Sequence, residues 1–273
     1  MGLGLRASPP GARVAFAALA AALTVVFSAL SAAPVRADLG ACVTSPPYNL
    51  HQKGDEVHSL IWGIFARITT RNPDLCNMPP TTNYSASTAY VMVWKPNVGV
   101  DDGWLQVGYV RTQVASIHFY MQYSDGFNYY SDNVSCIVPG DPCVYADAGV
   151  TYRHVIKELL DPPAGYYWHG YVLLDSTGTT VWNANDVYTY ELDFTPTTVQ
   201  YASEAVNQHD QSGGGNASRV HLYTLKWYES ISLTVRYPDI QGAERTCDLC
   251  GSNGPFNYRW LSGSDFEVWT DGF

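Results

Sequence analysis

Charge is scarce in this chain. Asp, Glu, Lys and Arg make up 15% of its 273 residues, where about a quarter is usual. Basic residues are the scarcer sign, 15 against 25 acidic ones, for a formal net charge of −10. That balance argues against nucleic acid and against anionic membranes as partners. After the N-terminal segment no apolar run is long enough to span a bilayer, and no stretch shows convincing amphipathic helical periodicity. Nucleophile and metal motifs are missing as well. There is no G-x-S-x-G. The seven histidines (51, 58, 118, 154, 169, 209 and 221) form no H-x-H or H-E-x-x-H pair. No metal and no cofactor is therefore expected. Asp101-Asp102-Gly103 reads as a turn rather than a calcium loop.

The N-terminus is of a different kind. Arg6 and Arg13 precede an Ala-rich apolar run from Val14 to Ala33, and Val35-Arg36-Ala37 has a small-x-small pattern. Residues 1–37 read as a signal peptide, with maturation before Asp38; an uncleaved anchor is the competing reading. Three basic residues and no acidic one lie in that segment, so the remaining chain is more acidic still. The expected location is secreted, with no membrane attachment after cleavage. Oligomeric state is not legible. All six cysteines follow Ala37, as expected of three disulfides in an exported chain. Proximity favours Cys136–Cys143 and Cys247–Cys250, which leaves Cys42–Cys76. Zinc at Cys247 and Cys250 is the rival, though no second ligand pair lies nearby.

Aromatics are plentiful, with 20 Tyr and 8 Trp, which favours β structure. Asp38 to Lys53 reads as a polar lead-in. His58–Thr70 is an apolar run whose β-branched and aromatic content favours a strand. Short runs separated by turn residues follow: Thr88–Lys95, Trp104–Thr112, Ser116–Tyr123, Val150–Leu159, Tyr166–Asp175, Thr179–Trp182, Asp186–Phe194, Thr197–Ala205 and Arg219–Val235. The tail ends with Tyr258–Trp269. This pattern predicts an all-β antiparallel sandwich of the concanavalin or lectin-like jelly-roll kind, with few or no helices, as one domain over residues 38–273.

Two of these strands carry candidate chemistry. In 103–110, Trp104, Gln106, Gly108 and Val110 share one face, and Leu105, Val107 and Tyr109 the other. Both faces are apolar, so Gln106 points an amide into a semi-buried wall. Without partners that amide would cost about 1–3 kcal/mol, so either a structural group or a bound molecule must meet it. In 198–205, Thr198, Gln200, Ala202 and Glu204 share a face, with Val199, Tyr201 and Ser203 on the other. Glu204 ends an apolar-leaning strand, where a solvated strand end is the plain account.

Trp104-Leu105-Gln106-Val107-Gly108, the aromatic strand Phe119-Tyr120-Met121-Gln122-Tyr123 and the late Gln200-Tyr201-Ala202-Ser203-Glu204 together resemble the glutamic peptidases of the eqolisin type, a sandwich also seen in neprosin-like proteins. The resemblance covers about residues 86–235. It implies a catalytic pair, Gln106 and Glu204, with Trp104, Tyr120 and Tyr201 lining the substrate groove, and a polypeptide substrate cleaved at acid pH. In that scheme the carboxylate takes a proton from water and the amide supports the same water and then the oxyanion. The family carries a Glu in the strand after the Gln motif; the corresponding position here is Met121. The other reading is a non-catalytic, lectin-like extracellular module that binds glycan or a cell-envelope polymer, with Tyr166, Tyr167 and Trp168 as stacking contacts.

Overall fold

The computed structural model describes residues 50–58, 60–76, 85–113, 115–132, 143–163, 165–188, 192, 194–206, 210–230, 234–237, 244–247, 250 and 255–271. All belong to one unit, Asp38–Phe273. The expected signal segment, Cys42 and Cys136 lie outside the described residues. Among the described residues no helix is long and apolar enough to cross a membrane.

Alternating side chains and turn residues produce an all-β architecture of two antiparallel sheets. The strands are β1 (Leu50–Val57), β2 (Gly63–Thr69), β3 (Ala86–Lys95), β4 (Gly103–Thr112), β5 (His118–Asp125), β6 (Tyr129–Asp132), β7 (Thr151–Asp161) and β8 (Gly165–Leu174). They continue as β9 (Thr180–Asn183), β10 (Val187–Tyr188), β11 (Thr198–Ala205), β12 (Val220–Tyr228), β13 (Val235–Arg236), β14 (Glu244–Cys247), β15 (Phe256–Ser262) and β16 (Asp265–Thr270). One sheet runs β14-β1-β11-β3-β4-β5-β6. The other runs β10-β8-β7-β2-β12-β16-β15, with β9 on β8 and β13 on β12.

Most expected strands are present with small shifts of boundary. β6 and β14 are not among them, and three further segments differ. The polar lead-in ends in β1, which pairs with β11 over eight residues, from Leu50↔Ala205 to Val57↔Thr198. The apolar run 58–70 forms a strand only from Gly63. Among the described residues of Asp186–Phe194, Val187 and Tyr188 pair with β8.

The core lies between the sheets. Leu105 and Val107 of β4, Val91 and Val93 of β3 and Val199 and Tyr201 of β11 face Ile64 and Ile68 of β2, Ile156 of β7, Val172 of β8 and Leu222 of β12, all fully buried. Each aliphatic side chain contributes about 1.5–3 kcal/mol by leaving water. The layers approach closely at Gly170 of β8, where an added Cβ would meet Val107 Cγ2 at 2.6 Å and Met121 Sδ at 3.0 Å.

Two expectations are corrected by this packing. Tyr201 does not line a groove: it is fully buried between the sheets, and its hydroxyl donates to the carbonyl of Lys226 at 2.8 Å. Its place on the odd register of β11 turns it away from Glu204. Trp168, offered as a sugar contact, is 1% exposed and part of the core; Tyr166 beside it is exposed and meets Trp62 edge-on. Cys247 and Cys250 are joined as a disulfide, the pairing that proximity favours. Cys76 and Cys143 are also disulfide-bonded; the expected partners Cys42 and Cys136 lie outside the described residues.

Candidate active-site groove

The outer face of the β1-β11-β3-β4-β5 sheet forms the wall of a groove of about 800 Å³, open to solvent. Register decides which side chains meet there, because residues directly opposite in antiparallel strands share a face. Four cross-strand rows follow in order along β4. The first holds Thr198, Trp94, Trp104 and Ser124. The second holds Asp55, Gln200, Met92, Gln106 and Gln122. The third holds Lys53, Ala202, Tyr90, Gly108 and Tyr120. The fourth holds Glu204, Thr88 and Val110.

Gln106, Glu204, Trp104 and Tyr120 therefore all line the same groove. The Gln106 amide is partnered: its Nε2 donates to Gln122 Oε1 at 2.7 Å. Met121, the departure from the family pattern, faces the core at 1% exposure, so the groove position on β5 is held by Gln122.

Gln106 and Glu204 are not opposite one another. The β11 residue in the row of Gln106 is Gln200, and Glu204 lies four residues further on. Four residues are about 13 Å along a strand and two strand spacings about 10 Å across. The two α-carbons are then about 16 Å apart, more than two side chains and one water span on a flat sheet.

Glu204 is reached by a hydrogen-bonded chain from β1 that the sequence does not announce. Lys53 Nζ lies 3.0 Å from Asp55 Oδ2. Asp55 Oδ1 accepts from Gln200 Nε2 at 2.7 Å, and Gln200 Oε1 accepts from the Tyr90 hydroxyl at 3.1 Å. Tyr90 is also hydrogen-bonded to Glu204. Beside it, the hydroxyls of Thr88 and Tyr120 bond at 2.7 Å. Burial is the largest cause that raises the hydroxyls of Tyr90, Tyr120 and Tyr129 above the usual phenol range, and the Glu204 carboxylate adds to it in each. These groups stay protonated, and Tyr90 is the one of the three hydrogen-bonded to Glu204. Gln200 could have been read from its shared face with Glu204. Lys53 and Asp55 could not, because β1 has no strand-like pattern.

Among the described residues no three His, Cys, Asp or Glu side chains are grouped to hold a metal ion. The groove offers proton transfer by a carboxylate, amide and hydroxyl donors, and aromatic walls.

No protein-family model matches the chain, and no curated protein matches it. Solved structures do. Two crystal structures of scytalido-glutamic peptidase, one with a peptide-based transition-state analogue and one with a transition-state analogue inhibitor, match with TM-score 0.53 at 10% identity, over 82% of this chain and 99% of theirs. SCP-B, a member of the eqolisin family of peptidases in complex with the tripeptide Ala-Ile-His, matches over the same shares with TM-score 0.49 at 8% identity. At such identity the likeness is one of fold: this chain has a glutamic-peptidase-like β-sandwich.

Proposed function

We propose that the protein is an exported, acid-acting peptidase that takes an extended polypeptide along the groove. Glu204 moves the protons. Its carboxylate accepts a proton from water as the water oxygen bonds to a peptide carbonyl carbon, and the carboxyl then passes that proton to the amide nitrogen as the C–N bond breaks. Tyr90 orients the carboxyl. The Gln106 amide, about five extended residues away, holds the same substrate by donating to one of its carbonyls. The observation that carries this reading is the placement of Gln106 and Glu204 on the same solvent-open face of one sheet, in a fold similar to that of scytalido-glutamic peptidase.

A second reading, polypeptide binding without hydrolysis, is favoured by the register that sets Gln200 rather than Glu204 in the row of Gln106. Casein cleavage between pH 3 and 6 separates the two. Peptidase action predicts that Glu204→Gln lowers kcat by roughly 10²–10⁴-fold, while Gln106→Ala acts mainly on KM. A wild-type protein that binds peptide but cuts none across that range is a binding protein; cleavage retained in Glu204→Gln removes Glu204 from the reaction.

A further inference from the structure

One end of the groove has a composition that the hydrolytic scheme does not use. Trp94 and Trp104 are directly paired across β3 and β4, and both are half-buried. The Tyr129 ring meets Trp104 edge-on with centroids 5.6 Å apart, and Phe127, 63% exposed, lies on the same rim. Asp101 and Asp102, both exposed, come from the turn that joins β3 to β4 and line the same end.

The aromatic faces and the carboxylates select the same kind of guest. A ring face attracts a cation within about 6 Å of its centre, and a neighbouring carboxylate strengthens the attraction. This groove already shows the effect internally, since Lys53 Nζ sits 5.9 Å from the Trp94 ring centre. That ammonium is committed to Asp55 at 3.0 Å. Asp102 Oδ1 accepts from the backbone of Asn97 at 2.9 Å, which fixes its position without neutralising it. Among the described residues Lys53 is the one cation that lines the groove, against the carboxylates of Asp101, Asp102 and Glu204. An apolar guest would satisfy the rings and leave the turn's charge unmet. An acidic guest would be repelled.

We propose that this end is a subsite for a basic side chain, Lys or Arg, of the bound polypeptide. The cationic head lies against Trp104 and Tyr129 with Asp101 and Asp102 as counter-charge, and its aliphatic stem lies along the indoles. The proposal rests on the reading that the groove takes polypeptide, and it names the class of chain taken: basic rather than acidic.

The experiment is equilibrium binding, followed by tryptophan emission, to the Glu204→Gln protein, whose lowered kcat leaves the peptides intact while the Gln106 grip is kept. Three octapeptides differ at one central position, which holds Arg, norleucine or Glu. The Arg peptide should bind roughly tenfold more tightly than the norleucine peptide, and the Glu peptide more weakly than both. In the Asp101→Asn/Asp102→Asn protein the Arg and norleucine peptides should bind alike, with thermal unfolding unchanged. Trp104→Leu should weaken the Arg peptide most. Equal affinity for Arg and norleucine, or a preference that survives the double change, overturns the subsite. If casein is still cut in that case, the peptidase reading stands without it. If none of the three peptides binds, both fall together. If the Arg preference holds and nothing is cut, the subsite stands on a binding protein.

Discussion

Asp210 shows how one side chain shapes the groove without touching a substrate. It is fully buried. One carboxylate oxygen accepts from the Cys76 amide at 3.0 Å and the Ser85 hydroxyl at 2.6 Å; the other accepts from the Ala86 amide at 2.9 Å. These three donors take the place of water around a buried charge. They also tie the segment after β11 to the start of β3, where Ser85 and Ala86 line the groove. Removing the carboxylate leaves all three donors without it. Asp210→Ala is expected to cost about 3–5 kcal/mol, read as a fall in the urea midpoint at unchanged m-value; a loss below about 1 kcal/mol would show that the donors find other partners. None of this was legible in the sequence, where Asn207 to Ser218 reads as a polar, Gly-rich loop. A carboxylate in such a loop is normally solvated, and the donors that bury this one lie more than a hundred residues earlier. Gln106 was legible because an amide stands out on an otherwise apolar strand. Glu204 was singled out by resemblance, since a carboxylate at a strand end has a plain account in solvent.

At the scale of the element, β4 sits near the middle of its sheet and depends on a missing side chain. Gly108 is flanked in register by Tyr90 and Tyr120. A Cβ there would lie 2.4 Å from the Ala89 carbonyl oxygen and 2.7 Å from Tyr90 Cβ, so the neighbouring backbone would have to move. Gly108→Ala is expected to cost about 1–3 kcal/mol. It should also displace Tyr90 from Gln200 and Glu204, so peptide cleavage or binding falls further than stability alone explains. A variant with wild-type Tm and activity would show that β3 shifts freely, against the close pairing described above. The strands of this sheet differ in how plainly they can be read. β4 and β11 alternate between core and groove, and β4 follows a turn-rich stretch, so both are visible. β1 is not, because Leu50-His51-Gln52-Lys53-Gly54-Asp55-Glu56-Val57 has no apolar alternation. Its backbone bonds to β11 and β14 hold it in place, and its polar side chains are absorbed by partners such as Gln200. A strand defined by its neighbours leaves no trace in its own composition, so the Lys53–Asp55 end of the chain of hydrogen bonds had to be seen in three dimensions.

For the whole molecule, the proposed action in acid requires a sandwich that stays folded there, and two groups away from the groove set opposite limits on that. His154 is fully buried between the sheets, among the rings of Tyr109 and Phe119. Burial pushes its pKa down to about 3, against a small opposing pull from the Tyr152 backbone. An unfolded chain protonates the same imidazole near 6.5. The stability His154 permits is therefore complete above about pH 6.5 and is lost as pH falls toward 3, by an amount on the order of 3–5 kcal/mol. Glu158 at the end of β7 runs the other way. Burial raises its carboxyl to about 7, so its contribution is complete below the unfolded carboxylate range and is lost as pH rises through 7. Together they predict a Tm that peaks between roughly pH 4.5 and 6.5 and falls on both sides. His154→Met, close in size and without a charge to bury, should raise Tm at pH 4 and change little at pH 8. Glu158→Gln should raise Tm at pH 8 relative to pH 4. A His154→Met protein with the wild-type dependence below pH 6 would assign the acid limb to the carboxylates bound by arginine instead, Asp175 and Glu267, whose pKa values are held down. If the acid limb does belong to His154, any peptidase activity should fail below about pH 4 because the sandwich opens, and His154→Met should extend the active range downward without altering the groove.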